Sequence, residues 1–460
     1  MTALRSRPLA TIVLAGGIAA EGCISAAHAA GSDGAARNFI WLAVLLLAAN
    51  IAGRLVERAR MPGVLGELLV GIVLGNLYLA GIGVFEPLKG DAIMEFVAEL
   101  GVVILLFQIG LESSLKQMRE VGARALAVAI VGVLLPFVLG TFVAGPWLLP
   151  GLSFNAYLFL GATLTATSVG ITGRVFQDLG RLQMREAQIV LGAAVIDDVL
   201  GLVILAVVTS LVQEGAISGG QVARIIVAAV VFLIGSIMLG RAIAPWISRG
   251  LARIDAGVAM KLALILSVCL TMAWLAETIG LAPIVGAFAG GLVLEPVFLT
   301  AFEEPEIVRK LRRMVSAGDP KSAAIDEVLR EHAGHHHHEL LAPLGYFFVP
   351  VFFVYTGMQV QLTSFFDPAT VAIALGITVV ALAGKIAAGY VAGNVNRALV
   401  GWGMVPRGEV GLIFAMVGKQ LGVVSEQAFA VIVIMVILTT VVTPIALVRL
   451  LRKQGVQHTK

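Results

Sequence analysis

Apolar runs of about 20 residues, separated by short polar or Gly/Pro-rich breaks, recur along nearly the whole chain. A run of that length lets a helix cross the hydrocarbon core of a bilayer. The windows fall roughly at 38–57, 63–82, 93–112, 124–148, 155–177, 186–212, 221–243, 258–278, 281–300, 342–360, 368–393, 402–420 and 426–448. They predict an all-α polytopic membrane protein with about 13 transmembrane helices, the transmembrane part occupying residues 38–450. Residues 1–30 read as a signal peptide: Arg5 and Arg7, an apolar stretch from Leu9 to Ala20, then the small-x-small site Ala27-His28-Ala29. The other reading is an uncleaved helix, which Glu21 and His28 would interrupt.

Charge then orients the chain. With the mature N-terminus outside, basic residues gather at every second connection. Arg54, Arg58, Lys116, Arg119, Arg181, Arg185, Arg249, Arg253, Arg312, Arg397 and Arg452 fall inside, whereas Lys89, Arg224 and Lys419 fall outside. The C-terminus is expected in the cytoplasm, soon after the last span, in a bacterial-type inner membrane. Residues 301–341 form the one long cytoplasmic loop, polar and helix-prone, ending in His332 and His335-His336-His337-His338. It reads as a solvated linker, with a metal- or pH-sensing tether as the sharper alternative.

Composition narrows the class further. Hydrophobic residues make up 59% and charged residues 13%, against about 25% charged in soluble domains. Cys23 and Cys269 define neither a disulfide framework nor a metal-ligand spacing. Basic residues are scattered singly at span ends, which argues against nucleic acid as a partner and for membrane lipid. No cofactor is expected.

Four departures from the apolar pattern carry the chemistry. Asp197-Asp198 sits inside a membrane-length apolar run. Such carboxylates are costly unless they face a wet cavity, a cation or a basic partner. Adjacent helical residues point about 100° apart, so the two can serve different partners. Gly161–Thr172 is dense in glycine and hydroxyls, including Thr163, Thr165, Thr167 and Ser168. Each hydroxyl can bond back to its own helix, but the density suits a broken helix lining a cavity. Gly401–Gly411 holds Pro406, Arg407 and Glu409. Arg407 admits two readings: a neutralised pair with Glu409 bracing a second break, or a residue at the cytoplasmic surface. Finally, Lys385 lies inside the span 368–393. The nearer end of the span is about eight residues away, about 12 Å to climb, beyond easy snorkelling, so it needs a partner, and the Asp pair is the obvious one. The core helices, about 124–212 and 368–448, form two triplets, each with a broken helix in its middle, starting on opposite sides. That is an inverted-topology repeat with two broken crossing helices and a midplane ion site.

These residues resemble a monovalent cation:proton antiporter of the second cation:proton antiporter family, of sodium/hydrogen exchanger type. The resemblance covers nearly the whole chain after residue 38. It is carried by Pro62–Gly75 with Glu67, by Glu99–Glu112, by Thr165–Gly170 with Asp197-Asp198, by Val349–Met358, and by Pro406-Arg407-Gly408-Glu409. The family's usual proline after Gly75 is Asn76 here. The resemblance implies that Asp198 binds cation and proton, that Asp197 pairs with Lys385 as counter-ion, and that Thr165, Thr167 and Ser168 border the site. Pro406, Arg407 and Glu409 would support the broken helix. It also implies a homodimer whose core domain moves against a dimerisation domain. The expected activity is exchange of Na+, or alternatively K+ or Li+, for H+, with no enzymatic step. Two aspartates plus the lysine lean towards sodium; a K+/H+ antiporter of the potassium-efflux type is the alternative, and a cation channel a further one. An intramembrane aspartyl protease needs its carboxylates on separate helices, unlike Asp197 and Asp198.

Overall fold

The structure is a computed structural model that describes residues 34–59, 61–112, 115–214, 219–255, 257–294, 302, 322–360, 362–363 and 367–457. The predicted signal peptide and residues 303–321 of the predicted loop lie outside the described residues. All regular secondary structure among the described residues is helical. In chain order the helices are α1 (Gly34–Arg58), α2 (Gly63–Gly75), α3 (Ala92–Glu112) and α4 (Leu115–Val138). Next come α5 (Phe154–Thr163), α6 (Val169–Asp178), α7 (Arg185–Glu214), α8 (Gly219–Ile254), α9 (Val258–Thr278) and α10 (Pro283–Val293). The last are α11 (Ser322–Met358), α12 (Pro368–Ala388), α13 (Arg397–Gly403), α14 (Glu409–Gln420) and α15 (Glu426–Gln457).

Nine of the described helices are long and apolar enough to cross a membrane, and α2 and α10 are shorter apolar helices. The chain divides into two compact units. The first holds residues up to Val102 together with Phe347–Val371; the second holds Val103–Tyr346 and Ala372 onward.

In the first unit, α2 stops well short of the window predicted over 63–82. Its 13 residues rise about 20 Å, less than the roughly 30 Å of a hydrocarbon core. Asn76 causes the stop. Its amide donates to the carbonyls of Ile72 (2.8 Å) and Val360 (2.7 Å), and its side-chain oxygen accepts from Leu362 N (2.8 Å). The side chain thus takes over bonds that a further helical turn would have made. A 3-10 turn, Leu77–Ala80, follows. At the end of α11, the Tyr355 hydroxyl and the Gln359 amide both donate to Lys89 O, each at 3.0 Å.

In the second unit, α4 packs along α7, α9 along α10, and α5 against α14. α4 does not end at Val138: a π-helical stretch, Leu139–Ala144, carries it into Gly145–Leu148. The span on α15 has 72% of its most apolar window buried, against 12% for the span on α8. On α8, Val231, Met238 and Trp246 are exposed, as suits a helix facing lipid rather than water. α11 runs from Ser322 to Met358 as one helix, so the backbone of the histidine tract is helical. The side chains of His332 and His335–His338 lie outside the described residues.

Candidate functional site

Two helices of the second unit are interrupted at the segments that broke the apolar pattern. The first interruption is Leu164–Ser168, between α5 and α6; the second is Met404–Gly408, between α13 and α14. Local sequence sets their outer ends: the Ser153 hydroxyl caps α5 by accepting from Ala156 N (3.2 Å), and Asn396 caps α13 by accepting from Leu399 N (3.2 Å).

An unwound backbone inside a membrane must find new partners for its amides and carbonyls. Here the two interruptions supply one another. Ser168 N donates to Pro406 O (2.7 Å), the Thr167 hydroxyl to Met404 O (3.2 Å), and the Thr172 hydroxyl to Gly403 O (2.7 Å). Arg407 returns the exchange by donating Nη1 to Ala166 O. The Arg407 carbonyl in turn accepts from the Thr440 hydroxyl on α15. Not every hydroxyl crosses: Thr163 and Thr165 bond back to Leu160 O and Ala162 O, both at 2.7 Å. The crossing leaves two helix N-termini, at α6 and α14, and two helix C-termini, at α5 and α13, close to the same place. It therefore offers partial charges of both signs.

The charged residues lie beside this crossing. Lys385 is in the last turn of α12, where a cation complements the helix dipole. Its Nζ contacts both oxygens of Asp197 on α7, at 3.0 and 3.2 Å. Neither side chain of the pair has any exposure. The Thr167 hydroxyl is also hydrogen-bonded with Asp197. Asp198, one residue on, is buried but retains 7% exposure. Arg407 is fully buried, and its charge acts on both Asp197 and Lys385. Its Nε and Nη2 have no hydrogen-bond partner among the described residues. Two carboxylates and two cations thus share one buried neighbourhood, with a formal sum of zero.

Of the residues singled out in the sequence, Asp197, Asp198, Lys385, Thr167, Ser168, Pro406 and Arg407 come together here. Thr165 is in the interruption, but its hydroxyl serves its own helix. Arg407 is not at a surface. Glu409 opens α14, and its side chain lies outside the described residues. Two contributors were not singled out, Thr440 and the π-helical stretch, and Thr172 was named only as the end of the hydroxyl-rich segment. At that stretch α4 crosses α5 at backbone distance: a Cβ on Gly140 would lie 2.9 Å from the Gly161 Cα. Neither periodicity nor composition marks a π-helical turn.

A helical membrane fold with interrupted helices and buried opposite charges is the pattern of secondary transporters of small ions. Comparison with known proteins agrees. The model of the family described as sodium/hydrogen exchanger, transmembrane, matches residues 42–453. A high-affinity Na+/H+ antiporter, NhaS3 of Synechocystis, is 35% identical over 442 residues, covering 88% of this chain and 87% of the relative. The Na+/H+-K+ antiporter GerN of Bacillus cereus is 33% identical over 413 residues, covering 88% and 94%. The solved structure of the sodium/proton antiporter MjNhaP1 of Methanocaldococcus jannaschii has a similar fold. It matches with a TM-score of 0.56 at 16% identity, over 89% of this chain and 95% of that one. The chain belongs to the sodium/hydrogen exchanger family.

Proposed function

We propose that this protein exchanges Na+ for H+ by competition of the two ions at Asp198. The observation that carries the reading is the division of labour between neighbouring carboxylates. Asp197 is sealed, with Lys385 on both of its oxygens. Asp198 retains 7% exposure, and in this reading that is where the ion arrives. Ionised Asp198 would take a partly dehydrated cation, helped by hydroxyls and carbonyls of the two interruptions. Protonated, it would release it. Carrying the bare carboxylate through the apolar barrier is costly, so the site crosses loaded with one ion or the other, and exchange is obligatory.

Thr167 and Ser168 border the site in this reading. Arg407 and Pro406 hold the two interruptions together through Ala166 O and Ser168 N. The two helix triplets act as inverted repeats, and the protein works as a homodimer in a bacterial-type inner membrane, N-terminus outside and C-terminus cytoplasmic. A K+-coupled mode is a second reading, favoured by the name of the GerN relative, which joins K+ to Na+ and H+.

The test is proton movement in proteoliposomes under imposed Na+ or K+ gradients, each applied alone. Proton flux driven by Na+ is expected. Equal drive by K+ would move the assignment to the second reading, and cation current without proton flux would replace exchange by a channel.

A further inference from the structure

α11 begins well before its span. The apolar part runs from Leu340 to Met358, yet the helix starts at Ser322, so residues 322–339 form a helical extension ahead of the span. Just past that extension, Gln108 Nε2 on α3 donates to Leu341 O (3.0 Å). Gly345 lets the two helices approach there: a Cβ on it would lie 2.8 Å from Gln108 Nε2. The first turn of the span is thereby held, and the extension leaves it as unbroken helix.

Helical register brings four residues of ligand type together on this extension. His332, His335, His336 and Glu339 stand at i, i+3, i+4 and i+7, within about 100° of arc and about 10 Å of rise. Positions three or four apart on a helix are neighbours, and two histidines four apart on one helix face are a zinc-binding spacing. His332 and His336 have that spacing, and His335 and Glu339 repeat it alongside. The consecutive histidines alone do not produce this. His332 stands apart from them, behind Ala333 and Gly334, and closes the first pair. His337 and Arg330 fall on the far side of the helix, so the stripe carries no fixed positive charge. Gly334 weakens the turn between His332 and His336, and an ion shared by those two residues would bridge it.

We propose that the stripe of His332, His335, His336 and Glu339 is a binding site for one divalent transition-metal ion of the Zn2+ class. Imidazole and carboxylate are donors that Zn2+ takes, and an imidazole-rich set suits zinc, copper or nickel rather than Mg2+ or Ca2+, which want oxygen. A solvated linker asks only for polarity; it does not ask for three imidazoles and a carboxylate in one register. The ion is a ligand of the extension and not cargo, so the site does not rest on the exchange reading.

The experiment is calorimetric titration of the full chain in detergent with Zn2+, and with Mg2+ as control, after purification through a tag that contains no histidine. Amide exchange is followed with and without Zn2+. One Zn2+ per chain is expected, with no binding of Mg2+ at the same concentrations and slower exchange across residues 333–336. His332→Ala and His336→Ala should each weaken Zn2+ binding by about tenfold or more, as losses of a ligand, while His337→Ala leaves it unchanged. Equal weakening by His337→Ala and His336→Ala would mean that the run binds by composition, and it overturns the stripe. Binding that survives His332→Ala, exchange across 333–336 that ignores Zn2+, or no Zn2+ binding overturns it as well. Thermal unfolding without metal checks that each variant is folded; should an alanine variant fail, His332→Gln and His336→Gln decide on the same criterion.

Discussion

Removing Lys385 should cost more stability than any surface change could. The ammonium and the Asp197 carboxylate are both fully buried and in contact at 3.0 and 3.2 Å. Breaking a buried pair by deleting one partner costs about 3–5 kcal/mol, because the other charge is left uncompensated. Replacing both partners by apolar groups of similar size is often neutral or stabilising. Lys385→Met is therefore expected to lose about 3–5 kcal/mol, and Lys385→Met with Asp197→Leu to recover most of it. The loss should also depend on pH. Asp197 escapes part of the cost by taking up a proton, which is easier in acid, so the deficit of the single variant grows as pH rises. The assay is equilibrium unfolding of the purified protein in detergent for the wild type, both single variants and the double, read as a mutant cycle. A single variant as stable as the wild type, or a double variant no better than the worse single, would refute the claim that this pair is held by mutual compensation.

Thr440→Val removes the hydroxyl that holds the Arg407 carbonyl; about 1 kcal/mol of stability should go, measured by unfolding in detergent. Asn76→Ala deletes three hydrogen bonds at the end of α2 and should cost about 1–3 kcal/mol, with faster amide exchange at Leu362. At the start of α12, Asp367 is held below the usual carboxylate range, chiefly by the Thr370 hydroxyl and then by the Thr370 and Ala369 amides. A depressed carboxylate stabilises above its unfolded pKa and loses that contribution as pH falls through the folded value. Amide exchange at Thr370 is therefore expected to speed up only below about pH 4, and Asp367→Asn to remove that dependence.

Much of this site was legible because charge is rare in apolar runs. Asp197, Asp198 and Lys385 stand out against their spans, and the distance Lys385 would have to climb already demanded a partner. The two interruptions were legible for a related reason: clustered glycine and hydroxyls in one, and Pro406 with its glycines in the other, are poor material for an unbroken helix. The fate of individual hydroxyls was not legible. Thr163 and Thr165 bond back to α5, while Thr167 and Thr172 reach the other interruption. Residue type and spacing are alike; what differs is where the helix ends, which depends on packing. Arg407 illustrates the same limit: a basic residue after a proline suits a loop at a surface as well as a buried brace, and only the carbonyls of a distant segment decide. Asn76 passed as a small departure from a familiar pattern, yet it sets the length of α2. The apolar window over 63–82 overran α2 because hydropathy does not register where the backbone changes its bonding.

The central claim is that cation and proton compete at Asp198, and the pH dependence of the Na+ KM tests it most directly. Where the proton is the dominant occupant, one-for-one competition predicts a Na+ KM that rises about tenfold per unit fall in pH, at constant maximal rate. Asp198→Asn should fold and show no exchange. A Na+ KM independent of pH, or substantial exchange in Asp198→Asn, would contradict the account.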